Sequence, residues 1–184
     1  CPLIIELKKR NNIKCQICLT GQHREMLDQV MEVFGVEADY NLAVMRDNQT
    51  LTMITAGILE GIEEVLQQTR PDVVLVHGDT TTSFVAALAA FYQQIPVGHV
   101  EAGLRTWNRY SPFPEEINRT LTGQIATYHF APTETNRKNL ERENIKKNVF
   151  VTGNTVIDAF KTTVMSDYIF KCDILQKINY TDKR

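Results

Sequence analysis

Three acidic side chains stand at positions where an α/β protein would place its chemistry. Asp79 follows the apolar run Val73–Val76 and the turn His77-Gly78. Glu101 follows a second such run, Pro96–Val100, and Glu115 opens a helical stretch after Ser111-Pro112-Phe113-Pro114. In open α/β sheets, ligands bind outside the carboxyl ends of the strands. That rule sets Asp79 and Glu101 at one edge, and Glu115 joins them if its helix starts beside them. Carboxylates that share a site raise one another's pKa, which allows acid/base work near neutral pH. Each residue also has a plainer reading. Asp79 would serve as N-cap of the helix behind it. Glu115 and Glu116 fall in a first helical turn, where the dipole favours acids, and Glu115 is spaced i,i+4 from Arg119, a common surface pair.

Histidines and basic residues surround these acids. His77 and Asp79 are spaced i,i+2, as are His99 and Glu101, so each pair would share one face of a strand. Two His and two carboxylates could ligate a divalent metal, but no helical His pair or Cys cluster supports one, and core histidines near strand ends are the simpler expectation. Gly78-Asp79-Thr80-Thr81-Thr82 offers amides and hydroxyls at a helix start, a possible anion site. It lacks a Walker lysine and any G-x-G-x-x-G. Arg105, Arg109 and Arg119 flank the acidic loop and could hold a phosphate, or pair with Glu115 and Glu116. Trp107, Tyr110 and Phe113 give that loop aromatic bulk suited to a lid or a dimer contact.

These residues need elements to position them. Spacing predicts helices over Pro2–Lys9, Gln22–Phe34 with Gly35 as its cap, Thr50–Gln68, Thr80–Tyr92, Glu115–Thr127, Glu134–Asn144 and onward from Thr155. Strands are predicted over Ile13–Leu19, Val73–His77, Pro96–Val100, Tyr128–Ala131 and Asn148–Thr152, and Leu104–Pro114 reads as a loop that is mobile or ordered by ligand. Regular alternation of strand and helix argues an α/β fold with a doubly wound, mainly parallel sheet and helices on both faces. The chain has 184 residues, enough for one sizeable core. Its net charge of −2 implies no basic face, and no nucleic-acid partner is expected. No apolar run approaches the ~20 residues of a membrane span. Cys15-Gln-Ile-Cys18 has redox and zinc spacing. On a strand the two point to opposite faces, so core cysteines and a cytoplasmic location are expected.

Five segments taken together resemble a known family. They are Thr20–Asp28, Val76–Thr82, Gly98–Arg105, Ser111–Arg119 and Val151–Asp158. They resemble, in order, the motifs of bacterial non-hydrolysing UDP-N-acetylglucosamine 2-epimerases. The resemblance implies one Rossmann-like half of a glycosyltransferase-B-like fold, with the active site in an interdomain cleft. It implies interconversion of UDP-GlcNAc and UDP-ManNAc without metal or cofactor, for surface polysaccharide synthesis. Asp79, Glu101 and Glu115 fall on the family's acidic catalytic positions, and Asp79, Glu101, His77 and Arg105 are expected to touch the UDP-sugar substrate. Gln22 and Glu115 fall where members bind a second UDP-GlcNAc as activator, although Glu25 and Asn48 differ from some such members. The full-length protein is expected to be a homodimer. The resemblance also implies a first strand and phosphate loop before Cys1 and a second domain after Arg184. On that reading, residues 1–164 are an N-terminal domain incomplete at its start, residues 165–184 are a helix or linker, and this chain alone is inactive. Two alternatives are a noncatalytic sugar-nucleotide-binding or interaction module, and a metal-dependent hydrolase using His77, Asp79, His99 and Glu101.

Overall fold

A computed structural model describes residues 1–21, 24–46, 48–164, 168–170 and 172–178. The elements in chain order are α1 (Pro2–Lys8), β1 (Cys18–Leu19), α2 (Arg24–Val33), β2 (Tyr40–Asn41), α3 (Leu51–Thr69), β3 (Val74–His77), α4 (Thr81–Tyr92), β4 (Val97–Val100), α5 (Glu115–Ile125), β5 (Tyr128–Ala131), α6 (Glu134–Arg142), β6 (Val149–Val151), α7 (Thr155–Thr163) and α8 (Asp173–Gln176). All strand pairs are parallel, in a sheet ordered β3-β4-β5-β6 and a separate pair β1-β2. Parallel neighbours require crossovers, and a helix supplies each one in the main sheet. Among the described residues, no helix is long and apolar enough to cross a membrane.

The core forms where spacing puts apolar residues on one helix face. Ile54, Ile58, Ile62 and Leu66 make an i,i+4 stripe along α3, and all four are buried. Thr50 starts that helix by accepting a hydrogen bond from the Met53 N–H, and left-handed Arg70 ends it. The stripe packs against α4, whose Val85, Ala86, Ala87, Ala89 and Ala90 are buried with Val76 of β3 and Val97 of β4. The alanines let α4 approach both neighbours closely. A second cluster, Ala102, Ala131 and Leu140, seats α6 against the sheet beyond β4.

Register determines which side chains share the buried face. Val76, His99, His129 and Val149 are partners across the four strands. His99 and His129 therefore lie side by side in the interior. On the opposite face the row is His77, Val100, Phe130 and Phe150, with the two phenyl rings stacked 5.9 Å apart.

Several sequence expectations need correction. The strand expected over Ile13–Leu19 is laddered only at Cys18–Leu19, because its partner β2 is equally short and was not anticipated. Ile17 is still buried, and its N–H donates to Asp39 Oδ2 at 2.7 Å. One sheet was expected, and the described residues form two, linked where Thr20 and Thr82 hydroxyls lie 2.9 Å apart. Leu104–Pro114 is pinned at its base, as described below, rather than loose throughout. Cys18 packs against the main core, and burial pushes its thiol up to about 11, which leaves it inert at neutral pH.

Candidate functional site

β3 and β4 both end in turns that reverse the backbone at their carboxyl ends. Gly78 has φ +71° and Glu101 φ +66°. Left-handed backbone at a non-glycine residue is uncommon and concentrates at functional positions. Gly103 follows at φ +87°, and a Cβ there would run into the Asn136 carbonyl. These turns bring Asp79 and Glu101 to the same edge of the sheet.

Asp79 is not the cap of α4. Thr80 takes that role, its hydroxyl accepting from the Ser83 N–H at 3.2 Å. The Asp79 carboxylate instead meets Arg119 Nη2 at 2.7 Å, and its main-chain carbonyl accepts from Asn118 Nδ2 at 3.0 Å. Both partners belong to α5, the helix that Glu115 opens. Burial holds the Asp79 carboxyl above its ordinary range. Arg119 opposes that shift, while the charges of Glu101 and Glu115 reinforce it. The charges of Glu101 and Glu115 thus reach Asp79 across the same edge. One oxygen of Glu115, Oε2, is buried with no hydrogen-bond partner among the described residues.

Glu101 has the opposite environment. His77 Nε2 lies 3.4 Å from its Oε2, and Asn154 Nδ2 donates to its Oε1 at 3.0 Å. The His77 bond, then the Asn154 bond, outweigh burial and hold its carboxyl below the ordinary range. Asn154 also caps α7, its Oδ1 accepting from the Val156 N–H. One side chain therefore ties the start of α7 to the acid after β4.

The i,i+4 pair expected between Glu115 and Arg119 is absent from the ion pairs of the described residues. Arg119 reaches Asp79 and, at 3.4 Å, Glu116. Glu116 is 3 % exposed and accepts from the main-chain N–H groups of Thr106 and Trp107. Burial alone would raise its carboxyl; the Thr106 and Trp107 N–H bonds and Arg119 overcome that and lower it. This pins the base of the loop. Arg142 lies over the Trp107 ring at 4.4 Å, while Tyr110 and Phe113 stay exposed.

Two further expectations are altered. Arg105 was expected to touch the substrate, but its Nε and Nη2 each meet Glu143 at 2.7 Å and its Nη1 donates to the Leu104 carbonyl. Its side chain is wholly buried, with Nε, Nη1 and Nη2 all engaged. The metal arrangement also fails geometrically. His99 lies on the buried face with Nε2 at 2.8 Å from the Gly78 carbonyl, whereas His77 lies on the other face beside Glu101. Gln22, expected at an activator site, lies outside the described residues. Glu116 and Asn118 were not singled out as catalytic or substrate-binding from sequence, and Arg119 was read there as a candidate phosphate ligand rather than as the partner of Asp79.

A family model described as UDP-N-acetylglucosamine 2-epimerase matches residues 5–183. The UDP-N-acetylglucosamine 2-epimerase of Salmonella typhimurium is 57% identical over 176 residues, covering 95% of this chain and 46% of that protein. The crystal structure of UDP-GlcNAc 2-epimerase from Neisseria meningitidis bound to UDP-GlcNAc superposes with TM-score 0.85 at 57% identity, over 88% of this chain and 44% of that one. The enzyme of Methanocaldococcus jannaschii in complex with UDP-GlcNAc and UDP gives TM-score 0.81 at 43% identity, over 87% and 44%. The chain spans about half the length of the curated relatives it matches.

Proposed function

The chain belongs to the UDP-N-acetylglucosamine 2-epimerase family, and from that premise we propose that it supplies the acidic side of an active site that interconverts UDP-GlcNAc and UDP-ManNAc. The activity is that of an enzyme of the relatives' full length. The observation that carries the reading is the group Asp79, Glu101 and Glu115 at the carboxyl edge of β3 and β4, with Asp79 pushed up and Glu101 held down. Carboxyls whose environments drive their pKa values apart are suited to opposite proton-transfer roles.

The chemistry asks for such a set. The sugar C2 proton has no adjacent carbonyl to acidify it. Its removal is made feasible by concerted loss of UDP. The C2–H electrons form a C1=C2 double bond while the C1–O bond breaks toward the phosphate. UDP then adds back at C1 as a proton is delivered to the other face of C2. Two acid/base groups on opposite faces suffice, with stabilisation of the departing pyrophosphate. Asp79, Glu101 and Glu115 are the proposed acid/base groups, and His77 contacts substrate beside Glu101. Neither a metal nor a nicotinamide enters the scheme.

The same reading includes a homodimer, a role in cell-surface polysaccharide synthesis, and a second UDP-GlcNAc as activator at Gln22 and Glu115. Four free cysteines fit a reducing, cytoplasmic setting. The test is incubation of the full-length enzyme with UDP-GlcNAc in deuterium oxide. UDP-ManNAc carrying solvent deuterium at C2 is expected. Release of UDP with free ManNAc, or activity abolished by a chelator, would contradict the proposal.

A further inference from the structure

Arg119 is a guanidinium in direct contact with the acidic group, and an epimerase of UDP-sugars needs cations for its pyrophosphate. Its surroundings argue against that use. The side chain is 6% exposed. Nη2 is committed to Asp79 at 2.7 Å and Nη1 faces Glu116 at 3.4 Å, while Nε is buried without a hydrogen-bond partner among the described residues. With so little of its side chain exposed, the guanidinium offers little surface to the open edge. Two carboxylates already balance the charge, so an incoming diphosphate would compete with both.

What Arg119 does instead follows from the chain of contacts. Thr106 and Trp107 main-chain N–H groups hold Glu116, Glu116 flanks Arg119, and Arg119 holds the Asp79 carboxylate. One position earlier on α5, Asn118 holds the Asp79 main chain. A planar guanidinium fixed on both sides orients a carboxylate far better than a free cation. We propose that Arg119 is a positioning residue that orients Asp79 and keeps it available as an anion, and that Glu116 couples this orientation to the Thr106–Trp107 loop. The inference rests on the proposed catalytic role of Asp79.

The charged groups facing Asp79 are Arg119 from α5, Glu101 from the turn after β4, and Glu115 from the first turn of α5. Among these groups of the described residues, two repel its anion and only Arg119 favours it. Loss of Arg119 must therefore move the pH limb set by Asp79 upward, whether Asp79 serves as acid or as base.

The experiment compares full-length wild type with Asp79→Asn, Arg119→Met, Arg119→Lys and a double variant, Arg119→Met with Glu116→Gln. The double variant avoids leaving Glu116 buried without its cation. Solvent-deuterium incorporation at C2 is followed against pH and substrate concentration, with circular dichroism as the folding control. Asp79→Asn should abolish exchange. Arg119→Met, alone or in the double variant, should lower kcat on the order of 10²-fold, the scale of a misplaced catalytic group. KM should change little, and the Asp79 limb should move to higher pH. Arg119→Lys should restore the limb and part of kcat. A raised KM with kcat and pH profile intact would make Arg119 a diphosphate ligand and overturn the proposal. So would wild-type kcat in a folded Arg119→Met, or failure of all three Arg119 variants to fold. Wild-type turnover by Asp79→Asn would remove the catalytic reading of Asp79, and this proposal with it.

Discussion

His99 is fully buried beneath the turn that presents Asp79, with Nε2 on the Gly78 carbonyl. Burial holds its imidazole down to about 4, against an ordinary 6.5, and burial lowers His129 beside it as well. Between those two values the unfolded chain binds a proton that the folded chain refuses, so stability falls as pH drops from about 6.5 toward 4. The loss at His99 is about 3 kcal/mol over that window. His99→Gln keeps an amide donor near the Gly78 carbonyl and should flatten the decline in urea midpoints between pH 7 and 5. An unchanged decline would remove His99 as its source. A second residue-scale prediction concerns Asn154. Asn154→Ser keeps a cap for α7 but is too short to reach Glu101, so in the full-length enzyme the Glu101 limb of the rate profile should move to higher pH. Asn154→Ala should do the same and add the loss of the cap, about 1 kcal/mol. A limb unmoved in both would mean that His77 alone sets Glu101. The acids themselves were legible in the sequence because each follows a strand or opens a helix. Their partners were not, since Asn118 meets Asp79 across 39 positions and Asn154 meets Glu101 across 53.

Elements deliver these residues, and their boundaries follow local rules where the local signal is long. The bounds of α3 fall within a residue of expectation, because a helix of 19 residues repeats its pattern many times. Ile58 sits at the centre of that stripe with no exposed surface, so Ile58→Ala should cost about 2–5 kcal/mol by chemical denaturation. A smaller loss would show that the α3–α4 contact collapses around the cavity. β1 and β2 are two residues each, too short for a period to register, and their existence depends on pairing with each other. The turn after β4 behaves differently again. Gly103 combines a left-handed backbone with the nearby Asn136 carbonyl, so Gly103→Ala should destabilise the fold by about 3 kcal/mol. It should also shift the neighbouring Glu101. Near-wild-type stability would mean that α6 can retreat from the turn.

At the scale of the whole molecule, the acidic edge is open, and water screens the charges that an enclosed cleft would strengthen. Among the described residues, Arg105 and Arg119 are both committed to carboxylates, so neither is free to balance a departing diphosphate. The 184-residue chain by itself should therefore bind UDP-GlcNAc weakly and show no deuterium exchange at C2. Exchange above that of a chain lacking Asp79, Glu101 and Glu115 would refute this. Sequence alone determined the α/β class, the order of the long helices and main-sheet strands, and the acidic residues at their junctions, because periodicity, caps and turn residues act within a few positions. The resemblance of its motifs supplied the chemistry to expect. Tertiary structure alone decided which cation serves which acid. Arg105 and Arg119 have the same side chain and flank the same loop, yet one is buried against Glu143 and the other holds Asp79. It likewise separated His77 from His99, because parallel register turns neighbouring strand residues to opposite faces. An ion pair or a shared face depends on distance in space, and that distance is set only when distant segments pack.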